Sequence, residues 1–260
     1  MARRRMGNGG PIPNPAPRLL DASQRLSQSL QQLDFSSVCP WVYNPLDYAW
    51  DPYQEYVERY ARGGIRLLFL GMNPGPWGMM QTGIPFGEVT AVRDWLKIAS
   101  QPKTPKRFHP KRPVLGTACT KQEVSGKRLW GLFADRFGTP DRFFDHAFVA
   151  NYCPLGFLAE GAQNLTPDKF PSPLRRSLEE ACDQLLHETL DLLQPHHAIG
   201  VGGFAEACLQ RCAQDFPKIQ VGRILHPSPA SPAANRGWAP QATRELIGLG
   251  AWSSDPQAMT

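Results

Sequence analysis

Short apolar runs that stop at glycine or proline recur along this chain. Leu67-Leu68-Phe69-Leu70 leads into Gly71-Met72-Asn73-Pro74-Gly75-Pro76, and Ala147-Phe148-Val149-Ala150 into Asn151-Tyr152-Cys153-Pro154. Val221-Gly222-Arg223-Ile224-Leu225 leads likewise into His226-Pro227-Ser228-Pro229. Leu67 to Leu70 is short, continuous and apolar, which predicts a strand buried on both faces; the other two runs repeat the grammar of strand, polar residue and proline-locked loop. Ala198-Ile199-Gly200-Val201-Gly202 predicts a fourth strand. Between the runs the apolar spacing changes to that of a helix. The pattern predicts helices over residues 18–33, 53–61, 88–99, 125–137, 174–193, 204–213 and 233–249. Strands alternating with helices predict an α/β fold around a mainly parallel sheet of about four strands.

In an open parallel sheet, ligands bind beyond the carboxyl ends of the strands. Three of the predicted strand ends present one polar side chain among prolines: Asn73, Asn151 and His226. The expected pocket is therefore lined by two amides and an imidazole, with no carboxylate or cysteine at those positions. Glu88 is the carboxylate nearest the first motif along the chain, and a helix N-terminal charge is its expected role.

Composition narrows the class. The chain has 260 residues, 42% of them hydrophobic, enough for one large core. One domain over residues 18–250 is expected, flanked by a flexible basic arm (1–17) and a short loose tail (251–260). No apolar stretch approaches the roughly 20 residues that span a bilayer. Lys and Arg outnumber Asp and Glu by 28 to 23, a net charge of +5 that suits a polyanionic partner. Lys103, Lys106, Arg107, His109, Lys111 and Arg112 crowd one proline-punctuated loop, with Lys127 and Arg128 close behind. Such a loop can track phosphates, and a solvated charged loop is an equally good account of it alone. Six cysteines form no Cys-x-x-Cys pair, so reduced buried thiols and no metal are expected.

Several ordered motifs carry a resemblance. Gly71-Met72-Asn73-Pro74-Gly75-Pro76, Gln81-Thr82-Gly83-Ile84-Pro85-Phe86-Gly87-Glu88, and His226-Pro227-Ser228-Pro229 with Asn235-Arg236-Gly237-Trp238 resemble the single-strand-selective monofunctional uracil-DNA glycosylases. The likeness covers roughly residues 40–250 and includes Tyr43-Asn44-Pro45 and the segment from His109 to Gly116. It implies a three-layer α/β/α fold with a central four-stranded sheet. It also implies a monofunctional DNA glycosylase of base excision repair that flips uracil out of single- or double-stranded DNA and leaves an abasic site. The resemblance extends the expected substrates to 5-hydroxymethyluracil and xanthine.

Carried over residue by residue, the resemblance makes Asn73 and His226 catalytic. Asn73 would hold the attacking water and His226 would face the uracil O2; sequence alone leaves the imidazole's protonation state open. Asn151 would pair with the pyrimidine edge and Phe86 would stack on the base, although Phe86 also reads as an ordinary core aromatic. Met72 and Gly75 would line the pocket, and Met79 would shape the space around the base C5. Lys111 and Arg112 would contact DNA. The loop holding Ser228, Pro229, Ala230, Ser231 and Pro232, with Asn235 and Arg236, would enter the duplex. Ala230 departs from the vertebrate pattern, which has an arginine after Pro-Ser-Pro, and Trp77 replaces a phenylalanine.

The expected partner is DNA containing uracil or an oxidised pyrimidine, bound by a monomer without a cofactor or membrane. The expected compartment is the cytoplasm in a bacterium or the nucleus in a eukaryote. Two other readings stand beside this one. A nucleotide hydrolase or transferase would need a phosphate-loop lysine or an acidic metal cluster, and neither pattern is present. A non-catalytic binder of damaged or single-stranded DNA would retain the basic loops with a degenerate pocket.

Overall fold

The computed structural model describes residues 14–255; the rest of the basic arm and the last five residues lie outside them. The first helix, α1 (Ala16–Gln31), begins two residues before its expected start at residue 18, because Ala16 is buried and Pro17 suits a first helical turn. There follow β1 (Trp41–Tyr43), α2 (Pro45–Tyr48), α3 (Trp50–Tyr60), β2 (Leu67–Gly71) and α4 (Met79–Thr82). The middle of the chain supplies α5 (Val124–Phe137), α6 (Pro140–Phe144), β3 (Ala147–Asn151), β4 (Gly156–Leu158), β5 (Asn164–Leu165) and α7 (Ser172–Leu193). The last part supplies β6 (His197–Val201), α8 (Gly203–Cys212), β7 (Gln220–Ile224), α9 (Pro232–Asn235) and α10 (Trp238–Gly248).

The central sheet is parallel throughout, in the order β3-β2-β6-β7. All five residues of β2 are buried, as expected of a strand covered on both faces. Successive side chains point to opposite layers. Phe69 faces α5 and α6, packing on Phe133 and Phe143 with ring centroids 4.9 and 6.5 Å apart. Leu70 faces the other layer, where it shares a small cavity with Leu19 of α1 and Leu186 of α7. Helices on both faces of one sheet make the three layers.

A second sheet, antiparallel and ordered β1-β4-β5, has no counterpart in the sequence prediction. Its strands have two or three residues each, too short to show a period. It carries a small satellite core of Tyr43, Tyr48, Met80, Val114 and Leu158 beneath the basic loop.

Three predicted elements differ. The helix expected over 88–99 is a π-helical turn, Ala91–Trp95, cut short where Lys97 takes φ +55°. The helix expected over 233–249 is split into α9 and α10 at Gly237, whose φ of +130° disfavours any residue with a Cβ. Ala251 and Trp252, placed in the tail by sequence, are buried, so the core extends past residue 250.

Candidate active site

In the parallel sheet all four strands end at the same edge. The chain leaves β2 toward β3 on one side and β6 toward β7 on the other, so the crevice opens between β2 and β6. There lies a cleft of about 520 Å³ lined by Asn73, Asn151, Phe86, Met72, Met79 and His226, together with Gly75, Ser228 and Pro229. Residues more than 150 positions apart in sequence thus meet because their strands are parallel.

The asparagine side is fixed by backbone. Gly71 pairs with Asn151 in register, and the pairing continues beyond the strands through Tyr152 N–H to Gly71 O (2.9 Å) and Cys153 N–H to Met72 O (2.9 Å). Asn73 donates Nδ2–H to Leu155 O at 3.3 Å, which leaves Oδ1 as the end that can accept from a water. Asn151 Nδ2 approaches Met79 Sδ at 3.3 Å, a weak contact that a better acceptor can replace. A Cβ on Gly71 would overlap both Asn151 Oδ1 and the Phe86 ring, so glycine there lets the amide and the ring share one floor.

Phe86 has φ +54°, uncommon for a residue with a bulky side chain. Its carbonyl accepts from Glu88 N–H (2.7 Å) and from Trp130 Nε1–H of α5 (3.1 Å). Glu88 is buried and its Oε2 accepts from Ala91 N–H at 2.9 Å, the capping role expected of it. A different carboxylate lines the cleft: Glu123 packs beside Gly78 and caps α5 by accepting from Ser125 and Gly126 N–H. Burial pushes its carboxyl up from the ordinary value. Sequence reasoning missed Glu123 because it lies far from the first motif along the chain. It also missed Gly202-Gly203, although that pair follows β6 with the same strand-then-glycine grammar.

His226 sits across the cleft with its ring tilted 39° to Phe86, centroids 6.1 Å apart. Burial alone pushes its pKa below the ordinary value, which favours the neutral imidazole. The following loop is proline-rich and side chains hold it. Arg128 donates to Pro227 O (3.0 Å), to Ser228 O (3.4 Å) and to Asn235 Oδ1 (2.9 Å), while Asn235 Nδ2–H reaches Pro229 O (2.8 Å). Ser231 Oγ caps α9 at Ala234 N–H (3.3 Å). Pro229 and Ala230 form the exposed tip; Ala230, Ser231, Pro232 and Arg236 lie outside the cleft lining. Arg128, grouped by sequence with the phosphate-tracking residues, has its guanidinium turned onto this loop.

Lys111 and Arg112 do not line the cleft. Lys111 is exposed, and Arg112 stacks its guanidinium 4.7 Å from the centre of the Trp77 ring. Their loop is pinned to the first motif by buried Gln81, which donates to Pro76 O and Pro113 O (3.0 Å each) and accepts from Leu115 N–H (2.8 Å). Beneath it Tyr43 Oη donates to Arg112 O and accepts from His109 N–H. The basic loop is therefore a fixed shoulder beside the cleft. All six cysteines are buried and unpaired, and among the described residues no group of three or more His, Cys, Asp or Glu is placed to hold a metal.

Residues 58–246 match the family model described as the uracil DNA glycosylase superfamily. A single-strand selective monofunctional uracil DNA glycosylase of Bos taurus is 48% identical over 92% of this chain and 90% of its own length. One from Rattus norvegicus is 49% identical over 89% of this chain and 84% of its own. The crystal structure of wild-type Pedobacter heparinus SMUG2 superposes with a TM-score of 0.58 at 19% identity, covering 89% of this chain and 99% of that one, and shares the fold.

Proposed function

This chain belongs to the uracil DNA glycosylase superfamily, and from that premise we propose that it is a monofunctional uracil-DNA glycosylase that hydrolyses the N-glycosidic bond of a flipped nucleotide. The observation that carries this reading is the meeting of Asn73, Asn151, Phe86 and His226 in one cleft. Phe86 stacks on the base, and Asn151 exchanges its sulfur contact for the N3–O4 edge of uracil, whose donor and acceptor match a single amide. Cytosine presents the opposite pattern, which the amide in that same orientation does not match.

Negative charge grows on the base as its bond to the sugar breaks. His226, whose neutral form burial favours, donates to the uracil O2, and a donor of this kind contributes roughly 3 kcal/mol of transition-state stabilisation. Asn73 orients a water through Oδ1 but cannot take its proton near neutral pH, so bond breaking runs ahead of water attack. Among the described residues no lysine lines the cleft, which argues against an amine nucleophile and for an intact strand with an abasic site. We extend the proposal to 5-hydroxymethyluracil and xanthine, to single- and double-stranded DNA, and to action as a monomer. The 226–235 loop would fill the gap left in a duplex.

The test is release of free base from an oligonucleotide with one uracil, single-stranded and duplex, with strand scission assayed before and after alkali. Release with cutting only after alkali supports the proposal. DNA binding without release from any of the named bases would sink it in favour of a binding module.

A further inference from the structure

We propose that Arg128 is a positioning residue that sets the shape of the 226–235 loop for entry into duplex DNA, an inference that rests on the glycosylase reading above. Proline at 227, 229 and 232 removes three N–H donors from this loop; Ser231 N–H reaches Ser228 O within it (3.1 Å), while Pro227 O and Pro229 O take side-chain donors. Arg128 supplies Pro227 O and Ser228 O, and through the amide of Asn235 it also steadies the group that supplies Pro229 O. The exposed tip, Pro229-Ala230, carries only small uncharged side chains. A tip without bulk or charge can fill a base gap only if its backbone resists being pushed aside by the stack.

The same helix holds the opposite wall. Two residues after Arg128, Trp130 donates to the Phe86 carbonyl, so one turn of α5 fixes the spacing between the base-stacking ring and the inserting loop. Three acceptors in different directions need the planar fork of a guanidinium, which an ammonium cannot reproduce. Because this fork faces inward, its work differs from a phosphate contact, for which charge alone suffices.

Arg128→Lys keeps the charge and removes the fork. Single-turnover excision of the same uracil should fall roughly tenfold in duplex DNA and by less than about twofold in single-stranded DNA. Asn235→Ala should give a smaller duplex-selective loss and add little to Arg128→Lys, because both act through one brace. Should Arg128→Lys fail to fold, as read by its melting temperature, Asn235→Ala alone carries the test through its duplex-to-single-strand ratio. Equal losses on both substrates, or a wild-type duplex rate in Arg128→Lys, would overturn the inference. A wild type that releases no base would overturn the glycosylase reading as well. Release from single strands by the wild type with an unchanged ratio in the variants sinks this inference alone.

Discussion

The two walls of the cleft are held by different means. The wall carrying Asn73 and Asn151 continues the ladder between β2 and β3, with backbone bonds running past the strand ends. The wall carrying His226 follows an edge strand, β7, and its loop is held by side chains of Arg128, Asn235 and Ser231. Geometry on the first wall comes with the sheet, whereas on the second it can be lost one side chain at a time. That difference suits the roles proposed above, base reading for the first wall and entry into the duplex for the second.

The strongest way to break this comparison is at the chemistry itself. His226→Ala should lower single-turnover excision by roughly 10²–10³ on single and double strands alike, with little change in melting temperature. A variant within about tenfold of wild type would mean that the His226 wall supplies no transition-state charge stabilisation.

Next in size is an attack on the sheet wall. Gly71→Ala puts a methyl group where Asn151 Oδ1 and the Phe86 ring lie, so excision should fall roughly 10- to 100-fold as the floor is displaced. The loss should be the same for both substrate forms, in contrast to the duplex-selective loss at Arg128. Measuring both ratios under one protocol separates the walls.

The walls should also respond differently to acid. Burial depresses the folded pKa of His226 below 6.5, so as pH falls through 6.5 the unfolded chain takes up a proton that the folded chain resists. Stability present above that pH is lost below it. Melting temperatures between pH 7.5 and 5.5 should fall more for the wild type than for His226→Gln, while Asn73→Ala should track the wild type. A wild type and His226→Gln that fall in parallel would show that the imidazole titrates as freely as in the unfolded chain.

The smallest effect belongs to the shoulder outside both walls. Arg112→Ala should weaken DNA binding a few-fold and reduce the slope of log affinity against log salt by about 1, leaving the rate of bound substrate nearly unchanged. Trp77→Leu, which removes the face on which Arg112 stacks, should weaken binding by a similar or smaller factor. An unchanged salt slope in Arg112→Ala would remove that guanidinium from the DNA contact.

The sheet wall was far more legible in the sequence than the loop wall. Strands β2, β3 and β6 are mainly apolar runs and β7 a shorter mixed one broken by exposed Arg223, each followed closely by glycine or a polar residue, so the pattern located them within about two residues and identified Asn73, Asn151 and His226 as strand-end groups. The antiparallel sheet escaped because its strands are shorter than any period. Gly237 was visible, but a helical spacing runs on either side of it, and only its positive φ reveals the break. Arg128 was visible as a charge and unreadable as a brace, since its acceptors lie 99 to 107 positions away. Local pattern reports what a segment can form; it does not say which distant carbonyl a guanidinium will find.

On the ribosome, Phe86 is made 44 residues before the Trp130 that bonds its carbonyl. A non-glycine residue in the left-handed region costs on the order of 1 kcal/mol or more; the local Glu88 N–H bond to the Phe86 carbonyl can form early, but the Trp130 bond waits until α5 has packed. The proposed base-stacking surface should therefore be held less firmly in fragments ending before residue 130 than in the full chain. The order in which the chain is made thus leaves the final bond on the Phe86 carbonyl to a residue that arrives halfway along it.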